Sequence, residues 1–442
     1  MLHYPGMDPE NLFEPIETAA RKKGVWAELW GEFSEGLSVE RRDRTPYAVK
    51  PFRETVLAVR VIHRHRAGLS YTTRATPEAL LEAMERAYEM SLFSEEEAHP
   101  PEGGELPSLP AKVPDIPASA ELEKLLFRAE EAVFYADARV HRVERVSLSG
   151  RRTRYFVFQT RGTRAAFTTG GFTFLLSVVA RSGKEERTAW EWREAPSLDE
   201  LPPEDLSRQA VRRAVTLLGA RKVPSQRVAV LFPPMVAVQL LESLAPSFCA
   251  DEVARGRSRL AGQEGKRVFS SCLTLIDDGL WPGGPETRPF DDEGTPQKRT
   301  LLVEEGRVAS FLYNLRWARY FSTVSTGNAR RPSFRAHPAV APTNLYLSPG
   351  DQSPEALRRE GVFEVYEMLG WHTTDPVSGD FSVGVSGVLH TPEGPTPVSG
   401  MALSGNLFDL LSRVSAVGSD LTFYGDTGSP SLLIPDLDLS GA

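Results

Sequence analysis

Cysteine is nearly absent from this chain, which has only Cys249 and Cys272 among 442 residues. Two cysteines cannot form the disulfide framework of a small secreted protein, so we expect two buried thiols. No stretch approaches the roughly 18 consecutive apolar residues of a membrane span. Residues 1–5 lack the basic region and apolar core of a signal peptide. These absences predict a cytoplasmic protein.

Positive charge is not in excess either, since 51 Lys and Arg stand against 59 Asp and Glu, a net charge of −8. An acidic chain is repelled by phosphates, which disfavours non-specific nucleic-acid binding. The hydrophobic content of 41% and charged content of 25% are ordinary for a globular protein. At about 100–200 residues per domain, the length indicates two or three domains.

The residue pattern changes along the chain and predicts an α+β fold. An α/β N-terminal region is followed by a β-rich C-terminal domain with a few helices. Proline clusters without an apolar period indicate a linker, and a polar stretch near 220–226 indicates the main boundary. The predicted units are an α/β domain at 1–97, a Pro-rich linker at 98–118, a central α/β segment at 119–225 and a β-rich domain at 226–442.

Local signals predict individual elements. Apolar residues at helical spacing, together with capping residues, predict helices after Thr76-Pro77, at 119–137, at 204–218, from Pro234 to about Leu244, and from Asn406 to Gly418. β-Branched and alternating segments predict strands at 55–62, 153–160, 172–180 and 227–232, and a hairpin turning at 305–306.

Common catalytic motifs are missing. None of the eight histidines is followed by glutamate, and neither a G-x-S-x-G elbow nor a phosphate-binding glycine loop occurs. His63 and His65 alternate on a strand-like segment, so both are expected on one face, a geometry that can bind metal. The flanking arginines Arg60, Arg64 and Arg66 make a cation unattractive there.

Two polar segments have a functional and a structural interpretation. Residues 378–382 could form an active-site loop, but we favour a tight turn entering a strand, in which Asp380 accepts hydrogen bonds from local backbone N–H groups. Asp291, Asp292 and Glu293 could attract a divalent cation, but successive residues in a turn usually point apart. A solvated acidic turn is therefore the favoured prediction.

Several motifs together resemble one known family. In this order and spacing, they are similar to the TldD/PmbA family, also called modulators of DNA gyrase: 290–296 (FDDEGTP), 325–331 (STGNARR), 378–384 (SGDFSVG), 405–411 (GNLFDLL) and 417–420 (VGSD). Residues 58–61, 68–72 and the helix after Thr76 look like the first domain of that family. The resemblance covers essentially the whole chain.

The resemblance implies a metallopeptidase built from two related subunits. The catalytic sister carries H-E-x-x-x-H on a helix and a cysteine near its C-terminus as a further zinc ligand. The pattern from Arg255 to Gly265 fixes the register, which places the motif on Leu241, Glu242 and Pro246. Leucine and proline offer no lone pair, and no cysteine follows Cys272. The expectation is no metal in this chain, with Glu242 left as a motif remnant or an ordinary solvated helix glutamate.

The chain therefore resembles the non-catalytic TldE (PmbA) type. This implies as partners a TldD-like paralogue carrying H-E-x-x-x-H, with zinc in that subunit, and an unfolded peptide substrate; a homodimer is an alternative form. Candidate peptide contacts on an exposed strand edge are Gly379, Asp380, Phe381, Ser382 and Gly384. Two rival functions stay open: a stand-alone hydrolase using residues 378–382 or His372, and a homodimeric regulator linked to DNA gyrase.

Overall fold

The computed structural model describes residues 8–110 and 113–441. Its helices and largely antiparallel sheets confirm the α+β class. The prediction about residues 1–5 lies outside the described residues, as do positions 111 and 112 of the predicted linker. Within the described part of the chain, no helix is long and apolar enough to cross a membrane.

The N-terminal half is built on one six-stranded antiparallel sheet with the order β3-β2-β1-β4-β5-β6. Four of these strands have 17 to 20 residues, several times the usual length. Central pairing of β1 with β4 places strands from both sides of the Pro-rich segment in the same sheet. The strands are β1 (Trp26–Arg42), β2 (Thr45–His63), β3 (Arg66–Thr72), β4 (Val140–Gln159), β5 (Arg164–Ser182) and β6 (Glu185–Ala195).

Four helices bury their apolar faces on this sheet in two separate cores, one beneath α1 and α2 and one beneath α3 and α4. The predicted start of α2 is confirmed, because the Thr76 hydroxyl accepts a hydrogen bond from the Ala79 N–H at 3.3 Å. Helix α1, which Asp8 caps and Gly24 ends in a left-handed conformation, was not predicted from the sequence. The helices are α1 (Pro9–Lys23), α2 (Pro77–Phe93), α3 (Ser119–Ala136) and α4 (Pro203–Thr216).

The C-terminal half contains a sheet that closes on itself. Five strands pair in the order β16-β15-β14-β7-β20, and β20 pairs again with β16 through Ala402↔Ser440 and Leu403↔Leu439. The resulting ring surrounds much of the largest apolar core. Its members, with the short strand attached to β20, are β7 (Gln226–Phe232), β14 (Val362–Leu369), β15 (Asp380–Thr391), β16 (Gly394–Asn406), β17 (Ala416–Val417) and β20 (Leu432–Ser440).

A third sheet packs beside the ring in the order β10-β9-β8-β13-β19-β18. The remaining elements are β8 (Leu275–Asp278), β9 (Arg299–Glu304), β10 (Arg307–Val308), β11 (Ala329–Arg330), β12 (Ala339–Val340), β13 (Leu345–Leu347), β18 (Thr422–Tyr424), β19 (Thr427–Ser429), α5 (Pro234–Leu244), α6 (Ala250–Ala254), α7 (Leu315–Tyr320), α8 (Pro354–Leu357) and α9 (Leu407–Ser412).

Among the local predictions for this half, the hairpin was correct and the end of the last helix was wrong. The hairpin at 305–306 is confirmed, with Glu305 and Gly306 both at positive φ between β9 and β10. The last helix does begin at an Asn406 cap, but it ends at Ser412 and does not continue to Gly418. The chain leaves the helix there because Ala416 and Val417 pair with β20.

Candidate functional site

Helix α5 carries the positions that the resemblance assigns to the metal motif. Pro234 begins the helix, and its apolar residues pack into the core of the ring. Leu241 is one of them, with only 1% of its surface exposed. The helix ends at Leu244, and half-buried Pro246 lies in the short 3-10 turn Ala245–Phe248. The expected helix end before the proline is confirmed.

Glu242 lies on the opposite, exposed face of α5 and borders a cleft of about 330 Å³. Although much of the residue is exposed, the cleft partly desolvates its carboxyl and raises the pKa, and the nearby Asp426 carboxylate adds to the increase. Among the described residues, no hydrogen-bond donor or cation contacts this carboxyl group. The cleft lies between α5, α4, β6, β14 and β18, and none of its aromatic side chains was predicted as functional.

The donor groups at this position do not fit a zinc ion. A catalytic zinc needs about three nitrogen, sulfur or oxygen ligands. Leu241 is packed among apolar side chains, and neither leucine nor proline has a side-chain atom that can ligate a metal. Within residues 8–110 and 113–441, no group of three or more His, Cys, Asp or Glu is placed to hold a metal ion. Glu242 alone cannot make a site.

The other predicted ligand residues are also dispersed. The prediction that His63 and His65 share a strand face was wrong, because β2 ends at His63 and His65 lies in the following turn at positive φ. His65 packs against His99 instead, with ring centroids 4.5 Å apart. Cys249 is buried as predicted, but Cys272 is exposed.

The peptide-contact candidates form the start of β15. Gly379 has φ +80° in the turn before the strand, Asp380 and Ser382 are exposed, and Phe381 packs on Trp371 with ring centroids 5.1 Å apart. Gly384 pairs with both Leu369 on β14 and Ala402 on β16. From Gly384 onward β15 is paired on both sides, whereas residues 380–383 pair only with β16, so a free strand edge is limited to the start of β15. Peptide contact by these residues stays a prediction.

The favoured turn entering a strand is present at residues 376–378, just before β15, but Asp380 does not act as predicted. Its carboxylate accepts hydrogen bonds from the Asn406 side chain at 2.8 Å and the Ser378 hydroxyl at 3.0 Å, and these bonds lower its pKa. Asp375 instead accepts the local backbone N–H groups, from Val377 at 2.8 Å and Ser378 at 3.0 Å.

The acidic segment Asp291-Asp292-Glu293 was wrongly predicted to be solvated, since its residues are 0%, 4% and 5% exposed. The Asp291 carboxylate accepts the backbone N–H groups of Glu293 and Thr295, each at 2.9 Å, and that of Ala329 at 3.0 Å. These bonds fold the segment into a rigid turn. Successive carboxylates do point apart, but each finds a buried partner.

Asp292 and Glu293 join the two halves of the molecule through buried charges. Asp292 accepts the Trp30 indole N–H at 3.0 Å, and Glu293 pairs with Arg60 at 3.2 Å. Glu28 pairs with Arg60 at 3.0 Å and with Arg331 at 2.8 Å. We call Glu28, Arg60, Asp292, Glu293 and Arg331 the interdomain ion network. No local pattern reveals it, because its members come from distant segments.

Glu32 lies on β1 near this network. Burial, followed by the Asp292 carboxylate, raises the pKa of Glu32 to about 7, although Arg288 and Arg151 act in the opposite direction. An unfolded glutamate has a pKa of about 4.3. The folded chain therefore holds a proton here that the unfolded chain releases, and this contribution to stability is lost as the pH rises from about 4.3 through 7.

Replacing Glu32 by glutamine should therefore raise the free energy of unfolding by about 3–4 kcal/mol at pH 8 and by less than about 1 kcal/mol at pH 4.5. Glutamine keeps the shape of the protonated acid and has no proton to lose. Urea unfolding at both pH values measures the effect, with Glu393→Gln on an exposed turn as the control. An equal effect of Glu32→Gln at the two pH values would contradict the assignment.

Comparison with known proteins gives a consistent set of similarities. PmbA/TldA metallopeptidase domain 1 matches residues 27–91, the central domain matches 112–218, and the C-terminal domain matches 225–441. The metalloprotease PmbA of Escherichia coli O157:H7 is 24% identical, over 97% of this chain and 96% of that protein.

Other relatives align over part of their length. A metalloprotease TldD homologue of Buchnera aphidicola is 28% identical over 69% of this chain, and an uncharacterised Methanocaldococcus jannaschii protein, MJ0231, is 30% identical over 52%. The chain spans only 66% and 55% of these two proteins, respectively.

Two crystal structures share the fold with a TM-score of 0.90. One is a Thermotoga maritima protein, TM0727, described as a modulator of a DNA gyrase; it is 25% identical, over 98% of this chain and 100% of that one. The other is TldE from Thermococcus kodakarensis, 21% identical over 97% of this chain and 100% of that one.

Proposed function

Because the chain belongs to the PmbA/TldD metallopeptidase family, we propose that it is the non-catalytic, TldE-type subunit of a two-subunit zinc metalloprotease. This enzyme acts in the cytoplasm on unfolded peptides or small proteins. Its zinc is held by a TldD-like paralogue with H-E-x-x-x-H, and a homodimer of this chain can form when the paralogue is absent.

One observation carries the proposal: the side chains at the motif positions of α5 cannot ligate a metal. Leu241 is a core residue and Pro246 sits in the turn that ends the helix. A zinc ion supplies an activated water in this chemistry, so without one Glu242 has no hydroxide to generate. This chain instead contributes its fold, an interface for the sister subunit and surfaces that position the peptide.

The peptide-positioning role is proposed for the start of β15. The candidates follow the turn at 376–378, and two of them, Asp380 and Ser382, are exposed: Gly379, Asp380, Phe381, Ser382 and Gly384. Hydrogen bonds from Asn406 and Ser378 fix the Asp380 carboxylate in place. A fixed, exposed carboxylate can orient a peptide amide or amine without ordering any further side chain.

The first test is reconstitution. We expect the isolated chain to carry no stoichiometric zinc and to cleave no unfolded peptide, whereas adding it to the zinc-bearing paralogue raises cleavage by about tenfold or more, at least 1.4 kcal/mol in activation free energy. Elemental analysis and a peptide-cleavage assay measure this. A paralogue lacking its motif glutamate is the control and should stay inactive in the mixture.

Chelator-sensitive cleavage by the isolated chain with one zinc bound would overturn the proposal. Cleavage that resists chelators would instead favour a stand-alone hydrolase. The description of TM0727 as a gyrase modulator favours one further candidate, a regulator that binds gyrase directly. That function predicts gyrase binding by the isolated chain and no stimulation of the paralogue.

Restoring the two histidines should not restore the metal site. In the double variant Leu241→His, Pro246→His, we expect no stoichiometric zinc and no hydrolysis, because a third ligand and the groups that orient each imidazole are missing. Burying an imidazole at Leu241 should also cost about 2–5 kcal/mol of stability. Elemental analysis and urea unfolding test both effects.

Pro246→His alone is the matched control for the double variant and should be milder, since Pro246 is only half-buried. Stoichiometric zinc with chelator-sensitive cleavage by the double variant would show that two imidazoles were the only missing parts.

A further inference from the structure

The cleft beside α5 has the size and shape of a small binding pocket. We call it the α5 cleft, with a volume of about 330 Å³. Cavities of this order hold small ligands or single side chains. Its walls combine acidic, aromatic and apolar groups, and the acidic and aromatic ones include Trp190, Trp192, Glu242, Tyr366, Glu367 and Tyr424.

The charge in the α5 cleft is unbalanced. Glu242 has no cationic partner among the described residues. Glu367 also lines the cleft; burial raises the pKa of its carboxyl, and the Arg187 guanidinium acts in the opposite direction. Arg213, the one arginine among the described residues of the lining, is already engaged by the Glu191 carboxylate at 2.8 Å and the Trp190 carbonyl at 2.6 Å. At Glu242 the cleft therefore presents a carboxylate without a matching cation.

The walls around these carboxylates are aromatic. Trp190 is 49% exposed, and Trp192 packs edge-on against Tyr424 with ring centroids 5.8 Å apart. Tyr366 lines the opposite side, on β14. Aromatic faces attract cations and also cover the methylene stems of long basic side chains. A carboxylate beside such walls matches an alkylammonium or alkylguanidinium group better than an anion or a purely apolar group.

We propose that the α5 cleft binds a lysine or arginine side chain of an unfolded peptide. The face of α5 that carries Glu242, the remaining residue of the metal motif, then serves as a specificity pocket. The inference deepens the proposed function, since it takes the peptide substrate from it. Glu242 and Glu367 would bind the cationic group, while Trp190 and Tyr366 pack against its methylene stem.

The test compares three otherwise identical unfolded peptides that carry lysine, norleucine or glutamate at one central position. Calorimetric titration of the full chain should show the lysine peptide binding about tenfold more tightly than the norleucine peptide, or 1.4 kcal/mol. The glutamate peptide should bind most weakly. The preference should decrease at high salt, because screening weakens exposed charge pairs.

Variants locate the binding site. Glu242→Gln and, separately, Glu367→Gln should each reduce the preference for lysine over norleucine, whereas Glu393→Gln, which lies on the β15–β16 turn outside the cleft, should not. Equal binding of the lysine and norleucine peptides by the native chain would overturn the inference. So would an unchanged preference in both cleft variants.

This failure is distinguishable from failure of the proposed function. Stimulation of the paralogue is measured separately, with a peptide that has no basic residue. If the native chain does not stimulate the paralogue, the result counts against the subunit role and says nothing about the cleft. A native chain that stimulates cleavage of the neutral peptide and also prefers the lysine peptide over the norleucine peptide supports both.

Discussion

Replacing Glu28 by alanine is expected to lower the free energy of unfolding by about 3–5 kcal/mol. The Glu28 and Arg331 side chains are both fully buried, and that of Arg60 is 4% exposed. Without Glu28, two buried guanidinium groups would lose a shared carboxylate that also accepts the Gln159 amide at 2.9 Å. Urea unfolding at neutral pH measures the loss.

An exposed ion pair provides the matched control for Glu28. Glu82 pairs with Arg86 at 2.7 Å on α2, with side chains 56% and 45% exposed. Exposed pairs contribute about 0–1 kcal/mol, so Glu82→Ala should be nearly neutral. If the Glu28 and Glu82 variants lost similar amounts, the ion network would not be what joins the two halves.

Replacing Gly387 by alanine should cost about 3 kcal/mol of folding stability. A Cβ atom at Gly387 would lie 2.0 Å from the Glu364 carbonyl oxygen, and both positions are fixed inside the closed ring by the pairing of β14 with β15. Backbone atoms in the middle of a paired strand cannot move away without breaking ladder hydrogen bonds. The denaturant midpoint, followed by circular dichroism, reports the effect.

Gly384 lies on the same strand and gives the comparison. An added Cβ there would meet nothing closer than 3.7 Å, and its φ is not positive. Gly384→Ala should therefore change stability by less than about 1 kcal/mol, and in the stabilising direction, because alanine restricts the unfolded chain. A larger loss for Gly384→Ala than for Gly387→Ala would contradict the close approach of β15 to β14.

The elements that could be predicted from the sequence are those specified by neighbouring residues. The Thr76 cap, the helix at 119–136 and the turn at 305–306 depend on spacings of a few positions, and all are present. The far end of the last helix was wrong because tertiary pairing of Ala416 with β20 overrides helical periodicity there.

The candidate site was only partly predictable, for the same reason. The motif positions Leu241 and Pro246 follow from a resemblance in register, whereas the cleft aromatics come from three separate strands that approach only in the folded chain. The ion network depends on still longer separations, since Glu28 and Arg331 are 303 residues apart. Nothing near Asp291 in the sequence distinguishes a buried acidic turn from a solvated one.

The closed ring also constrains the order of events during synthesis. Strand β20 lies between β7, the first strand of its half, and β16, so the ring cannot close until β20 has left the ribosome. Until then both neighbours present unpaired N–H and C=O groups, the kind of edge that pairs with other chains. Such long-range pairing is slow, and the nascent C-terminal half therefore exposes these two edges to aggregation until β20 has paired with both.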